Sequence, residues 1–316
     1  MNMLKTLAVV VVVTACCLAQ NTTTPAPLPQ LVDALTANGQ FTIFLDLLAQ
    51  TNLLQQINQS IHFAVFAPTD TAFNRLPAGS VDALKADKAQ LESILGYHVV
   101  LSTSYHVQGS QQDQTIKSSN NLPIRINTYS ILHANTVEGV NITIRNIHVY
   151  HGYAHGIDGI MTPPLGNVVD IGANRSDFSI FESLVTKANL ASFFTNDHST
   201  TFFVPNNDAF AKLSNQTLDY LNTHVSALTE VLKYHMVKEY SLYSVGMKHT
   251  LTVDSADQHH DTLMILEDGS GNIFVNHAKI IEKDISSING VIHVVDTVLV
   301  PIRVQVQIED QGIIVG

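Results

Sequence analysis

The residues of this 316-residue chain best suited to chemistry are its 15 histidines. His148, His151 and His155 fall within eight positions, and imidazole nitrogens at such density could ligate zinc or copper. On an extended strand, however, His148 and His151 point to opposite faces, and no acid stands beside them. Asp257-Gln258-His259-His260-Asp261 is a second cluster, polar throughout and read as a loop. Neither spacing is specific enough to assign a metal or a cofactor, so a His-based metal or small-ligand module is the weakest functional reading. His155 and His293 are each followed three residues later by an acid, Asp158 and Asp296, which puts imidazole and carboxylate on opposite strand faces. A structural hydrogen-bonding role suits them better than a base and its orienter. Tyr97-His98 and Tyr234-His235 each end an apolar helix, and Leu228, Val231, Leu232 and His235 share one face. The expected role of each His is to bond a nearby backbone or hydroxyl group and fix a helix-to-strand corner. The sequence contains no GxSxG elbow, no HExxH helix and no phosphate loop; Gly269-Ser270-Gly271 reads as a hairpin turn. No catalytic residue is assigned, and an enzyme is not expected.

Composition narrows the class further. Hydrophobic residues make up 45% and charged residues 14%, which describes a folded protein with real cores. Residues 1–19 have the make-up of a secretory signal peptide: Lys5, an apolar run from Leu7 to Val13 too short to span a bilayer, and small residues before Gln20. An alternative is a lipoprotein box ending in a lipidated Cys16. Loss of residues 1–19 removes one lysine and no acid, moving the net charge from −11 to −12. Without a basic run, nucleic acid and anionic membranes are poor partners. Cys16 and Cys17 both lie in the leader. The mature chain therefore has no thiol for catalysis, zinc ribbons or disulfides, and must be held by burial alone. No later segment has the length for membrane insertion. With so many histidines, acidification below about pH 6.5 is expected to cut the negative charge and alter weak self-association.

The elements that must position these residues begin with His62 to Leu76, HFAVFAPTDTAFNRL. Phe63 to Phe66 is a short apolar strand, and Pro68 ends it for want of an N–H. Thr69 or Asp70 then caps a short helix carrying Ala72, Phe73 and Leu76 on one face. Thr201 to Leu213, TFFVPNNDAFAKL, repeats the pattern, with Pro205 for Pro68 and Phe210 for Phe73. The two prolines are 137 residues apart, as are Phe44 and Phe181, Leu91 and Leu228, and the two Tyr-His pairs. A gapless match of this length marks a duplicated domain. Upstream, Leu31 to Thr51 has helical spacing at Phe41, Phe44, Leu45 and Leu48. After each Tyr-His pair come alternating runs, Pro123–Ile126, Val140–Ile147, Leu263–Leu266 and Ile273–Val275, separated by turn signals. Helix-rich first halves and strand-rich second halves predict an α+β fold. Each repeat closes on a glycine-led strand, clear in Gly290 to Pro301 and eroded in Gly152 to Pro163, where Gly156 and Gly159 replace larger residues. The expected division is signal peptide 1–19, Thr/Pro-rich linker 20–26, domain 1 at 27–165, domain 2 at 166–302 and a short tail at 303–316.

The two boxes FAPTDTAF/FVPNNDAF and GVIHVVDTVLVP, with a Tyr-His between them, resemble the fasciclin-type (FAS1) domain in tandem. The resemblance implies a β-wedge of about seven strands per domain with helices packed around it. It also implies an extracellular protein of cell adhesion or matrix assembly, binding matrix proteins or integrin-like receptors and not an enzyme. Members of the family are proposed to engage receptors through the Tyr-His region and a Lys-Asp-Ile segment. Those positions here are Tyr97, His98, Tyr234, His235 and Lys283-Asp284-Ile285, with Glu282 where the family has asparagine and no such segment in the first repeat. A non-adhesive matrix or cell-wall component is the alternative. Five sequons, at Asn21, Asn58, Asn141, Asn174 and Asn215, are glycosylation candidates; Asn21 and Asn174 lie in linker-like stretches.

Overall fold

The computed structural model describes residues 27–109, 113–195 and 199–314. The expected leader and the whole linker at 20–26, with Cys16 and Asn21, lie outside the described residues. Each repeat forms one seven-stranded sheet. The first contains β1 (Phe63–Pro68), β2 (Val99–Val100), β3 (Gln114–Lys117), β4 (Pro123–Tyr129), β5 (Ala134–Val137), β6 (Val140–Val149) and β7 (Gly152–Ile157). The second contains β8 (Thr200–Pro205), β9 (Met236–Lys238), β10 (Leu251–Asp254), β11 (Thr262–Glu267), β12 (Ile273–Val275), β13 (Ala278–Ser287) and β14 (Gly290–Val295). The spatial orders, β2-β1-β7-β6-β5-β4-β3 and β10-β11-β12-β13-β14-β8-β9, are equivalent. In both, the apolar strand of the opening box lies parallel to the closing strand: Phe66 is opposite His155, and Phe203 is opposite His293. All other pairings are antiparallel.

The central strands are buried on both faces, which explains their continuous apolar character. Alternate residues face different cores. Phe63, Val65 and Ala67 meet the helices through Phe41, Phe44, Leu91 and Leu95, whereas Ala64 and Phe66 enter the wedge with Ile124, Ile126 and Val137. In the second repeat Phe202 and Val204 face the helices, and Phe203 faces the wedge. The long strands β6 and β13 each carry two register shifts, at Ile142–Ile144 and Ile144–Ile147 and at Ile280–Glu282 and Glu282–Ile285. Such irregularities bend a strand, and here they let one strand serve both halves of the wedge.

Two expectations need correction. The helical spacing over Leu31–Thr51 belongs to two helices, Leu31–Asn38 and Thr42–Leu48, because Gly39 adopts φ +75° and ends the first. The segment expected as a tail forms a helix, Ile302–Glu309, which buries Val304 and Ile308 in the second helical core. Its amphipathic spacing, apolar at 304 and 308, was legible but short.

The opening boxes fold as expected, with Thr69 and Asn206 accepting from the N–H groups of Ala72 and Ala209. The next residue has a separate task. Asp70 accepts from the N–H groups of Thr42 and Ile43 and from the Thr42 hydroxyl, thereby capping a different helix; Asn207 likewise accepts from Ile180 N–H. Phe73 and Phe210 are buried, and Leu213 is too, but Leu76 remains on the surface. The glycine that leads the closing strand is required sterically. A Cβ on Gly290, at φ +156°, would lie 1.9 Å from the Thr200 carbonyl oxygen. Gly290→Ala is therefore expected to cost about 2–3 kcal/mol, read as a fall in urea midpoint at unchanged slope. An unchanged midpoint would show that β14 can shift away from β8.

Candidate functional site

The Tyr-His pairs are interior. Tyr97 donates to the Pro123 carbonyl at 2.7 Å, and Tyr234 to that of Thr262 at 3.2 Å. His98 bonds the Ile94 carbonyl through Nδ1 at 2.8 Å and accepts the Met161 N–H at Nε2 at 3.0 Å. His235 repeats this with Val231 at 2.8 Å and Leu299 at 2.9 Å. Each ring thus needs one protonated and one bare nitrogen, the neutral tautomer with the proton on Nδ1. Burial pushes both imidazoles down to about 4. All four side chains are enclosed. A receptor would have to open the fold to touch the side chains of Tyr97, His98, Tyr234 or His235. Their histidines tie the last helical turn to the segment after the closing strand, a wider span than the corner expected.

His155 and His293 also stand inside, stacked on Phe66 at 5.3 Å and Phe203 at 5.8 Å between ring centroids. His155 bonds the Tyr105 carbonyl through Nε2 and accepts the Asn146 N–H at Nδ1; His293 does the same with the Leu242 carbonyl and Asp284 N–H. Burial lowers both, His155 to about 4, and in His293 it outweighs the opposing pull of Asp284. Asp158 accepts from Asn141, and Asp296 accepts from Lys279 N–H and Lys212 Nζ, so both fasten neighbouring strands. The histidine run 148–155 disperses. His148 stacks on Tyr153 at 4.9 Å, His151 packs on Tyr150, and both nitrogens of His155 are in use. Among the described residues these three do not converge. Of the second cluster, Asp257 turns its carboxylate inward to the N–H groups of His259 and Asp261.

The backbone N–H that meets the closing-strand histidine belongs to an irregular turn within β13. Asp284 there has φ +62°, and its carboxylate accepts from the Ser244 N–H at 2.7 Å and from the Ser244 hydroxyl. This turn throws Lys283 into solvent between exposed Ile281 and Glu282 on one side and half-buried Ile285 on the other. Glu282, in the asparagine position, pairs with Arg175 at 2.7 Å. The first repeat contains the same turn. Asn146 has φ +57°, donates its N–H to His155, and exchanges two side-chain bonds with Val107. Arg145-Asn146-Ile147 is therefore the counterpart of Lys283-Asp284-Ile285, with Arg145 likewise exposed. The identities differ, so only the shared backbone geometry reveals it.

Lys283-Asp284-Ile285 also adjoins the junction between the repeats. Arg125 of β4 reaches across to the carbonyl oxygens of Ser287, at 2.9 Å, and Ile288, at 2.5 Å. Glu138, 3.8 Å from the Arg125 guanidinium, accepts from the Tyr243 hydroxyl at 2.8 Å and the Ser286 hydroxyl at 2.7 Å. Both charges are buried. Tyr129 accepts the Tyr243 N–H, and its ring lies against Gly246, where a Cβ would come within 2.1 Å. Nothing in the sequence singles out Arg125 or Glu138. Between Ile124 and Ile126, Arg125 reads as the solvent side of an alternating strand, and only the second repeat converts that side into an interface.

The fasciclin domain model matches residues 39–163 and 176–301. Human periostin is 26% identical over 268 residues, which cover 84% of this chain and 30% of periostin. The transforming growth factor-beta-induced protein ig-h3 of Sus scrofa is 26% identical over 284 residues, covering 87% and 40%. The chain thus spans less than half the length of these two relatives. A fasciclin-like arabinogalactan protein of Cercospora beticola is 25% identical over 295 residues, 86% of this chain and 76% of its own. Among solved structures, a FAS1 domain pair from the insect cell adhesion molecule Fasciclin I aligns with a TM-score of 0.40 at 18% identity, covering 85% of this chain and 99% of that one.

Proposed function

Starting from the fact that this chain belongs to the fasciclin domain family over both of its repeats, we propose that it is a secreted protein of adhesion or matrix assembly that acts through protein–protein contacts. The observation that carries the reading is the turn in β13. It exposes a cation, Lys283, beside Ile281 at 51% exposure, on a strand otherwise fixed by both cores and by the junction. A rigidly held turn loses little entropy when a partner docks, and an apolar residue next to a charge is a common anchor. Arg145 offers a second copy, bonded to Asn135 at 2.8 Å, and two such turns on one chain raise avidity where target sites are suitably spaced. No catalytic step is part of this reading. Among the described residues no helix is long and apolar enough to cross a membrane.

The test is attachment of cells from the protein's own source to surfaces coated with it. Wild type is expected to support attachment, and Lys283→Ala to lower it at least severalfold at unchanged melting temperature. Lys283→Ala matching wild type would remove the turn from the mechanism. If wild type itself supports none, a second reading takes over: a structural matrix or wall component held by glycans. The extensive coverage of an arabinogalactan relative favours that alternative, as do the exposed sequons Asn58, Asn174 and Asn215. Asn141 is the poorest acceptor of those described, because its amide nitrogen is half-buried and donates to Asp158.

A further inference from the structure

A half-open cleft of about 360 Å³ lies where the two repeats and their linker meet. Its walls are apolar, formed by Val140, Ile160, Met161 and Leu165 with Ile171 and Ile285. Two carboxylates, Glu138 and Asp284, also line it, whereas no lysine, arginine or histidine does. The carboxylates are not equivalent. Glu138 is fully engaged by Arg125, Tyr243 and Ser286. Asp284 is half-buried, accepts only from Ser244, and forms no ion pair within the chain's described residues. Its two oxygens retain lone pairs for a further donor.

This asymmetry restricts what can fill the cleft. A neutral apolar occupant would strip water from Asp284 without replacing it, and an anion would add repulsion. An ammonium group on an apolar stem satisfies both the walls and the charge. At the rim, Leu165 is 84% exposed, which extends the apolar wall outward to meet the remainder of an incoming chain. We propose that the cleft receives a lysine side chain of the partner protein, its stem against the half-buried Ile160 and Ile285 and its ammonium on Asp284. The proposal rests on the adhesive reading for the identity of the occupant. It deepens that reading by assigning complementary duties: Lys283 faces outward to the partner, and Asp284 beside it receives the partner's own cation.

Methyl-labelled full-length protein can be titrated at pH 7 with hexylammonium, hexanol and hexanoate, following the methyl resonances of Ile160 and Ile285. Hexylammonium is expected to give saturable shifts there, at least fivefold tighter than hexanol, with hexanoate giving none. Nα-acetyl-lysine methylamide should shift the same methyls, and its Nζ-acetylated form should not. Asp284→Asn keeps an acceptor for Ser244 and a residue tolerant of positive φ, so the fold should stand while the preference for the amine disappears. Absence of saturable shifts, equal binding of hexanoate, or an Asp284→Asn variant with unchanged preference would each overturn the proposal. Attachment that fails while the amine still binds would reject the adhesive reading and leave the cleft as a cation site; attachment without amine binding would do the reverse.

Discussion

Between pH 7 and pH 5 the first repeat is expected to lose about 4 kcal/mol of stability. The cause is the pair His98 and His155, both held at about 4 by burial against roughly 6.5 in the unfolded chain. The folded form binds fewer protons than the unfolded form in this window, so stability rises with pH. It is complete above about pH 6.5 and is eroded as pH falls toward 4. At pH 5 each histidine accounts for about 2 kcal/mol. His235 adds a similar loss to the second repeat, and His293 shifts in the same direction. The stability supplied by Asp177, Asp268 and Asp296, which lie below the usual carboxylate range, is intact across this window and is lost only as pH falls below about 4. Against a typical total of about 5–15 kcal/mol for a domain, this is enough to bring unfolding within reach of mildly acidic conditions. Urea midpoints at pH 7, 6 and 5 measure it directly. His98→Gln should be weaker at pH 7 and show a flatter pH profile. Midpoints that stay constant from pH 7 to 5 would mean that the buried imidazoles find a way to accept protons in place. The same burial revises the expectation that acidification cuts the negative charge through the histidines at large, since at least three of the 15 are held at about 4.

Glu138→Ala is expected to cost about 3–5 kcal/mol, because it leaves the Arg125 guanidinium buried without its counter-ion and strips two hydroxyl groups of their acceptor. The loss should appear at the junction. Calorimetry of the wild type is expected to show the two repeats melting together, and the variant to show two separated transitions. Replacing both partners, as in Arg125→Met with Glu138→Leu, should recover the part of the loss that comes from the unpaired guanidinium, while the Tyr243 and Ser286 hydroxyls stay without their acceptor. A single variant as stable as wild type would mean that the remaining junction contacts, among them Tyr129 with Tyr243 and Gly246, suffice to join the repeats. The double variant also bears on the amine titration, because it removes the other carboxylate of the cleft without touching Asp284, and the preference for the amine should survive it.

How much of this was open to sequence reading depended on how local the cause was. The opening box was legible because each of its signals acts within a few residues: apolar Phe63 to Phe66, Pro68 without an N–H, Thr69 as a cap. The duplication was legible because a repeat is a property of order along the chain, and it fixed the fold family. The lysine turn in the second repeat could be found by resemblance, whereas Arg145-Asn146-Ile147 could not, since what the two share is a positive φ and a bond to a histidine nine residues on. Asp70 was read as one of two candidate caps, and its actual helix begins 28 residues earlier in the chain.

By itself, then, the order of residues determined the central strands, the caps at Thr69 and Asn206, the duplication and the burial of the periodic apolar positions, all set by contacts near in sequence or by hydrophobic period. Only the tertiary structure decided which polar residues meet solvent. Burial enclosed Tyr97, His98, Tyr234 and His235, and the docking of one repeat on the other turned Arg125 and Glu138 from surface charges into a buried pair. The physical reason is that a polar side chain carries no mark of its surroundings: whether it meets water, a carbonyl or an opposite charge depends on segments more than a hundred residues away.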